Sequence, residues 1–436
     1  MGVSNCYGRD PKNVHTTHSH LLVRVSYYRS MTAPFRCDLN FFGTVPMPDA
    51  GNHGPAPTDR RYGQKDYIAC YENLTAWAKA ADVVGFNCMW FTEHHFQYEG
   101  YEVTPNLVMF GLAMAQHTCQ IRLGQMFNVV PQWHPLRLAE DFAMADILTG
   151  GRMEFGVGRG TVPREAMALG SRVASGDNDM SAKDDAFNRE QFEEAIEVIK
   201  AAWYSERFSY TGKHYQFPPA GIPDRGHTVT DMTLIPKVTR QVPIYQPVTS
   251  GETMEYVPRV GHRGVYWLMN PDLMAPRWQH YTDTYNEAHG TSLRAGENKV
   301  LVLNAHAGKT REAAWSSARN GHDEFTRFLA PYGRFTNYRA ADGGKLAFGV
   351  QPSLEDSFNQ QIAAIGSVED CIEIVSMYRE RFGVEHFCLF LDLPGLTREQ
   401  MTEQIHVWAE VVLPGAGLSL TPLDRPTQSP VFNVAQ

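Results

Sequence analysis

The chain has 436 residues, 43% of them hydrophobic and 20% charged, with a formal net charge of −9. This is a globular composition, not a disordered one, and the acidic balance without a basic, aromatic-interleaved stripe argues against a nucleic-acid partner. No apolar run approaches the roughly eighteen residues a membrane helix needs, so no membrane role is expected.

Residues 1–30 are polar, His-rich and aperiodic, without the apolar core and cleavage site of a secretory signal, and are expected to form a disordered extension. A domain is expected over residues 31–415, followed by a loop-like tail over 416–436. Residues 36–42 give the first strand, closed by Gly43, and a Pro/Gly-rich loop follows over 46–63. A helix over 67–84 with Leu74, Ala78 and Ala81 on one face stops at Gly85, ahead of a second strand over 88–91. Thr104-Pro105 reads as a cap and first-turn proline for a helix to His117. The third strand is expected over 121–130. His134-Pro135 then opens a helix with Leu138, Phe142 and Ala145 inward, ended by Gly150-Gly151. A fourth strand over 153–157 runs into Gly158-Arg159-Gly160.

The rhythm breaks over 161–241, read as an insertion with one helix (187–203) and a hairpin-like segment (208–217). Strands follow at 242–245, 265–268 and 299–305, with helices between them, the second over 276–289. Residues 310–365 read as a second insertion, its Gly/Ala/Pro-rich middle a candidate mobile lid. Ser367 caps a helix to Phe382, an eighth strand spans 386–391, and a last helix spans 398–413. Eight β-runs, most followed by a helix, imply parallel strands with crossovers and favour an α/β class (β/α)8 TIM-like barrel. An open doubly wound sheet is the alternative, but no GxGxxG lies between the first strand and helix. The seven cysteines are scattered, odd in number and without a CxxC pair, which reads as reduced thiols of a cytoplasmic protein.

The most informative stretch is Met89-Trp90-Phe91-Thr92-Glu93-His94-His95-Phe96, where an apolar strand runs straight into titratable groups. In a parallel α/β protein that marks the carboxyl edge of a strand, where such folds keep their chemistry. Together with Ile121-Arg122-Leu123-Gly124, the run from His134-Pro135 to Glu140, and the run from Gly150-Gly151-Arg152 to Gly158-Arg159-Gly160, it resembles the bacterial-luciferase-like flavin monooxygenases. The match is specific over residues 35–160 and weaker over 242–270 and 364–413. The resemblance implies a TIM-like barrel that takes reduced FMN as a co-substrate from a separate flavin reductase. It further implies reaction with O2 through a flavin hydroperoxide and oxygenation of a small, apolar organic substrate, commonly by a homodimer.

Site residues follow by position. His94 matches the histidine that acts as acid/base near the flavin, and imidazole titrates where such chemistry operates. Glu93 either orients His94, caps the loop or forms a structural salt bridge. For His95, packing and function are equal alternatives. A zinc site is the poorer reading, because adjacent histidines diverge and no third ligand is suggested, so no metal is expected. Arg159 matches the arginine that helps to hold the FMN phosphate, the alternative being a tie to a neighbouring acid. Gly158 and Gly160 let the backbone approach the cofactor. Thr249, Ser250, Gly251 and Thr253 open the helix where the family places its phosphate; Ser250 and Thr253 match its hydroxyl positions, Thr249 stands where the luciferase has an acid, and the alternative is plain capping.

Gln125, Met126 and Asn128 surround a position, Met126-Phe127, where the family often has a cis non-proline peptide under the flavin ring. Asn128 either bonds the ring edge or is a satisfied core amide. His306 and the aromatic segment 331–348 (Tyr332, Phe335, Tyr338, Phe348) are candidates for the substrate mouth. Two competing functions remain: a deazaflavin-dependent oxidoreductase on the same barrel, whose motif more often has Asp-His, and a non-catalytic flavin-binding protein.

Overall fold

Eight short, buried runs pair edge to edge into one closed parallel sheet. They are β1 (Arg36–Phe41), β2 (Cys88–Phe91), β3 (Arg122–Gln125), β4 (Met153–Gly158), β5 (Ile244–Pro247), β6 (Arg263–Tyr266), β7 (Lys299–Gly308) and β8 (His386–Phe390). Each pairs with the next, and β8 returns to β1 with Arg36 opposite His386. The β4–β5 and β8–β1 pairings close the ring, which excludes the open sheet and makes the fold a (β/α)8 barrel. The computed structural model describes residues 35–173 and 179–420, so the extension at 1–30 and the tail beyond 420 lie outside the described residues. Among the described residues no helix is long and apolar enough to cross a membrane.

Alternation along the strands separates two surfaces. Arg36, Asp38 and Asn40 share a face with Trp90 and His386. Trp90 on β2 meets Tyr245 on β5 with ring centroids 4.8 Å apart, so this face is the barrel interior. A Cβ on Gly124 of β3 would lie 2.2 Å from the Trp90 ring; only glycine lets that indole fill the barrel. The opposite face packs on helices. Phe155 of β4 sits between Phe142 and the fully buried Trp203. Burial of each such side chain contributes about 1.5–3 kcal/mol.

The helices are α1 (Gln64–Val84), α2 (Leu107–Ala115), α3 (Pro135–Leu148), α4 (Pro163–Ala168), α5 (Asp179–Tyr204), α6 (Gly251–Arg259), α7 (Pro271–His289), α8 (Arg311–Leu329), α9 (Leu354–Asn359), α10 (Val368–Phe382) and α11 (Arg398–Val407). Gly85 and Gly383 stop α1 and α10 in the left-handed region, at φ 90° and 63°.

Several elements differ from their sequence-based placement. The third strand ends at Gln125, and Asn128–Val129 pairs separately along β4. Helix α2 starts at Leu107 with Asn106 as its cap, because the Thr104 hydroxyl is drawn to the Thr92 carbonyl at 2.6 Å. Strands β5 and β6 are displaced by about two residues from the runs read in the sequence. The stretch 310–365 holds α8, α9 and a strand, Ala363–Ser367, that extends the sheet along β7; only the middle is loop. Helix α8 escaped the pattern because its buried face alternates small and polar residues (Ala314, Ala318, Gly321, His322) before Phe325.

Candidate active site

The carboxyl ends of β2, β4, β5 and β6 open on a cavity of about 390 Å³. His94, Glu93, Met126, Arg159, Gly160, Thr249 and Thr253 all line it. Imidazole 94 and guanidinium 159, 65 residues apart in the chain, therefore face one space. Gln125, Asn128, Ser250 and Gly251 do not line it. Gln125 and Asn128 are fully buried behind the wall, where the Asn128 amide donates to the Gly156 carbonyl at 3.0 Å. The amide is half satisfied: its Oδ1 is buried without a partner among the described residues. Between these two residues the Met126-Phe127 peptide is cis.

His94 is held between two carboxylates that the motif did not announce. Its Nδ1 lies 2.9 Å from Glu165 Oε1 on α4, and its Nε2 lies 3.2 Å from Glu102 Oε2. Both glutamates are buried; Glu102 lines the cavity, whereas Glu165 stands behind the ring and also accepts from Gln97 Nε2 at 2.8 Å. Burial alone would push the imidazole down, but Glu102 and then Glu165 outweigh it and raise His94 to about 10. The side chain is thus an imidazolium at neutral pH. Glu102 occupies the left-handed region at φ 52° and Phe96 at φ 59°, backbone conformations uncommon for such residues and often associated with functional sites.

Glu93 does not orient His94. Its carboxylate accepts from Val129 N (3.1 Å) and Trp133 Nε1 (2.9 Å) and pairs with His95 Nε2 at 3.0 Å. It fixes the strand-end loop to the segment after the cis peptide, and His95 completes that anchor.

At the other end of the cavity, Arg159 Nη1 pairs with Asp185 of α5 at 2.9 Å, so the tie to an acid and the cavity-lining position hold together. Beside it, α6 begins with a closed capping box: Thr253 N donates to Ser250 Oγ at 3.3 Å, and Thr253 Oγ1 accepts from the amides of Thr249 and Ser250 at 3.0 Å each. The positive end of a nine-residue helix therefore borders the cavity near a guanidinium. Gly160, at φ 77°, would bring a Cβ within 2.8 Å of Val129 Cγ1, so this wall needs glycine.

The expected substrate mouth is rearranged. Tyr332 lines the cavity, but Phe335 and Tyr338 are core residues, Phe348 is exposed, and His306 is buried in β7 away from the cavity. Glu102, Glu165 and Arg334 went unread because their segments carry no motif. A carboxylate five residues after Gly160 and a glutamate two residues after Gly100 are the local hints the sequence offers.

The luciferase-like monooxygenase family model matches residues 50–386. This chain belongs to that family. It is 36% identical over 146 residues to an uncharacterized protein of Sinorhizobium fredii, covering 34% of this chain and 39% of that protein. It is 30% identical over 160 residues to the oxygenase component of a flavin-dependent trigonelline monooxygenase of Acinetobacter baylyi, covering 37% of this chain and 41% of that protein. These two alignments thus span about two fifths of each relative's length. In structure, the chain superposes on the FMN complex of the oxygenating constituent of 3,6-diketocamphane monooxygenase of Pseudomonas putida. The TM-score is 0.66 at 18% identity, covering 89% of this chain and 100% of that one, and this likeness speaks to the fold alone.

The cavity fits FMN by its own donors. A cation, hydroxyls and a helix start suit a phosphate at one end, Phe127 and Met126 offer apolar surface to a flat ring, and Thr92 Oγ1 in the wall is buried without a partner among the described residues.

Proposed function

We propose that this protein is the oxygenase of a two-component monooxygenase, binding reduced FMN in the β2–β6 cavity and using O2 to oxygenate a small, apolar organic substrate. The observation that carries this reading is the convergence of His94 with Arg159 and the α6 start on one cavity, in a chain of this family. When bound, reduced FMN supplies the two electrons by which one atom of O2 enters the substrate and the other leaves as water. The remaining work belongs to the chain. Arg159 and the Thr249–Thr253 turn hold the phosphate, and Gly160 lets the cofactor approach. Glu165 fixes Nδ1 of His94, so the ring presents its Nε2 proton at the cavity wall beside Glu102, available to a developing oxyanion. Glu93 and His95 act on position, not chemistry, by tying the strand end to Val129 and Trp133. Phe42, Val265 and Trp267 exclude water and provide the apolar wall a carbon skeleton needs. A separate flavin reductase delivers the reduced cofactor, in keeping with a relative named as an oxygenase component.

The test is an anaerobic titration with photoreduced FMN followed by rapid mixing with O2. Expected are micromolar or tighter binding and a return of oxidised-flavin absorbance slower than for free FMN. Binding of a reduced deazaflavin in preference to FMN, with hydride transfer and no O2 uptake, would replace this function by a dehydrogenase; FMN binding with no change in its oxidation would reduce the protein to a carrier.

A further inference from the structure

The segment after α8 contributes a second cation to the cavity. After α8 the chain makes a 3-10 turn (Ala330–Tyr332) and turns back at Gly333, φ 68°. Phe335 and Tyr338 plug into the core, and the Asn337 carbonyl accepts from Asn270 N at 3.0 Å. This part of the lid is thereby pinned, and between its anchors Arg334, Thr336 and Asn337 line the cavity.

Arg334 donates from Nη2 to Thr161 Oγ1 at 2.8 Å, and among the described residues no carboxylate lies within 4 Å of its guanidinium. Its neighbours differ: Arg159 is paired with Asp185 and Arg164 with Glu99. A guanidinium offers five N–H donors, and one is used here. Burial disfavours its charge and lowers its pKa, opposed by Glu102 and Tyr332. Glu102 is already engaged by His94 at 3.2 Å. A half-buried, under-used cation facing a cavity is a site for an anion. Arg159 is paired with Asp185 of α5, whereas Arg334 bonds Thr161, two residues further along the chain, so the comparison of FMN with riboflavin affinity separates a role at the flavin phosphate from one at a second anion. The cavity walls at Phe42, Trp267, Leu268, Leu329 and Tyr332 are apolar.

Building on the monooxygenase reading, we propose that Arg334 is the specificity residue of the cavity and that the substrate is an apolar skeleton bearing a carboxylate. The acid meets Arg334 and the carbon frame meets Trp267 and Phe42, which holds the reacting carbon toward His94.

The test uses the full chain, with and without oxidised FMN, and matched acid–amide pairs (benzoate with benzamide, 2-naphthoate with 2-naphthamide) in calorimetric titrations at pH 7.5. The expected result is that at least one acid binds 10-fold or more tighter than its amide. In Arg334→Gln the ratio should fall to about twofold, with FMN affinity unchanged, and Arg334→Lys should recover part of it. Equal binding of acid and amide, no acid binding below 10 mM, or an unchanged ratio in Arg334→Gln would overturn the proposal; the last is what a guanidinium that only balances Glu102 would give. So would a variant that loses FMN but not riboflavin affinity, since Arg334 would then serve the phosphate. Failure of the wild-type chain to bind FMN counts against the flavin reading alone, because the acid–amide ratio is read without FMN as well.

Discussion

His386 and His94 both lie in this barrel against buried carboxylates, and they titrate in opposite directions. His386 opens β8 at the amino end, with Nε2 2.6 Å from Asp38. Burial drives it down; Asp38 opposes this, but Arg36 and Arg263 reinforce it, and the ring lies below its usual value. Asp38, despite burial that would raise it, is held at about 2 by His386 and Arg36. His94, at the carboxyl end, faces two glutamates with no guanidinium paired to either of them among the described residues, and is raised to about 10. The lesson lies in the ratio of charges. At the amino end Arg36, Arg122 and Arg263 surround Asp38, Glu154 and Tyr245, so the acids there answer to guanidinia. At the carboxyl end two acids share one imidazole beside a cavity, and a proton is held where a ligand can reach it.

The comparison breaks most sharply under substitution of Asp38. Asp38→Asn removes the charge beside Arg36 and leaves a neutral amide where Trp90 and His386 share a carboxylate oxygen. Loss of about 3–5 kcal/mol is expected from leaving a buried cation under-compensated, read as a lower urea midpoint. The turnover of the folded protein should change by less than about twofold. A fall in kcat matching the loss of stability would mean that the amino end takes part in the chemistry.

His94→Gln makes the complementary cut. It should slow product formation by roughly 100-fold or more, as loss of acid/base catalysis does, while FMN affinity measured by flavin fluorescence stays within about twofold. Unimpaired turnover would remove His94 from the mechanism and leave the two ends equivalent.

How much of this contrast was legible in the sequence depends on how local each feature is. The strand-to-motif junction at Phe91–His94, the glycine-flanked Arg159 and the Thr249–Thr253 turn are contiguous, so backbone geometry and chemistry are written in one stretch. The closing of the barrel was legible as eight repeats of β and α, because parallel strands require crossovers. The partners of His94 were not legible. Glu102 reaches it only because the loop after β2 folds back with Phe96 and Glu102 at positive φ, and Glu165 only because α4 follows the Gly160 bend. Nor could sequence separate Phe335 and Tyr338, which plug the core, from Tyr332, which faces the cavity, since four aromatics in a loop carry no period. The strand Ala363–Ser367 was hidden by its Ala-Ala-Ile-Gly-Ser sequence, weak in β propensity and ordered by β7.

The charge ratio at His94 can be tuned as well as broken. A raised histidine contributes stability fully below its unfolded value near 6.5 and loses it as pH rises through about 10. Turnover that needs the imidazolium should therefore be flat from about pH 6.5 to 9 and fall on a limb near 10. Glu165→Gln leaves one carboxylate, making the ratio more like that of His386, and should move the limb toward neutrality by about 1–2 units. A kcat profile whose limb stays in place would show that Glu165 packs against the ring without setting its charge.

The smallest expected effect sits where the two ends are most alike, at an arginine already paired with an acid. Arg159 shares its guanidinium with Asp185, as Arg36 shares its own with Asp38, so the pair alone does not distinguish structure from binding. What distinguishes them is the cavity that Arg159 also lines. If it meets the phosphate, Arg159→Ala should weaken FMN binding by about 10-fold, the size of one charge-assisted contact, and riboflavin binding by less than about twofold. Because Asp185 also accepts from Arg189 at 2.8 Å, it keeps a partner in the variant, and the loss should appear in ligand affinity and not in the unfolding midpoint. Equal losses for FMN and riboflavin, with a lowered midpoint, would instead class Arg159 with Arg36, as a strut of the barrel.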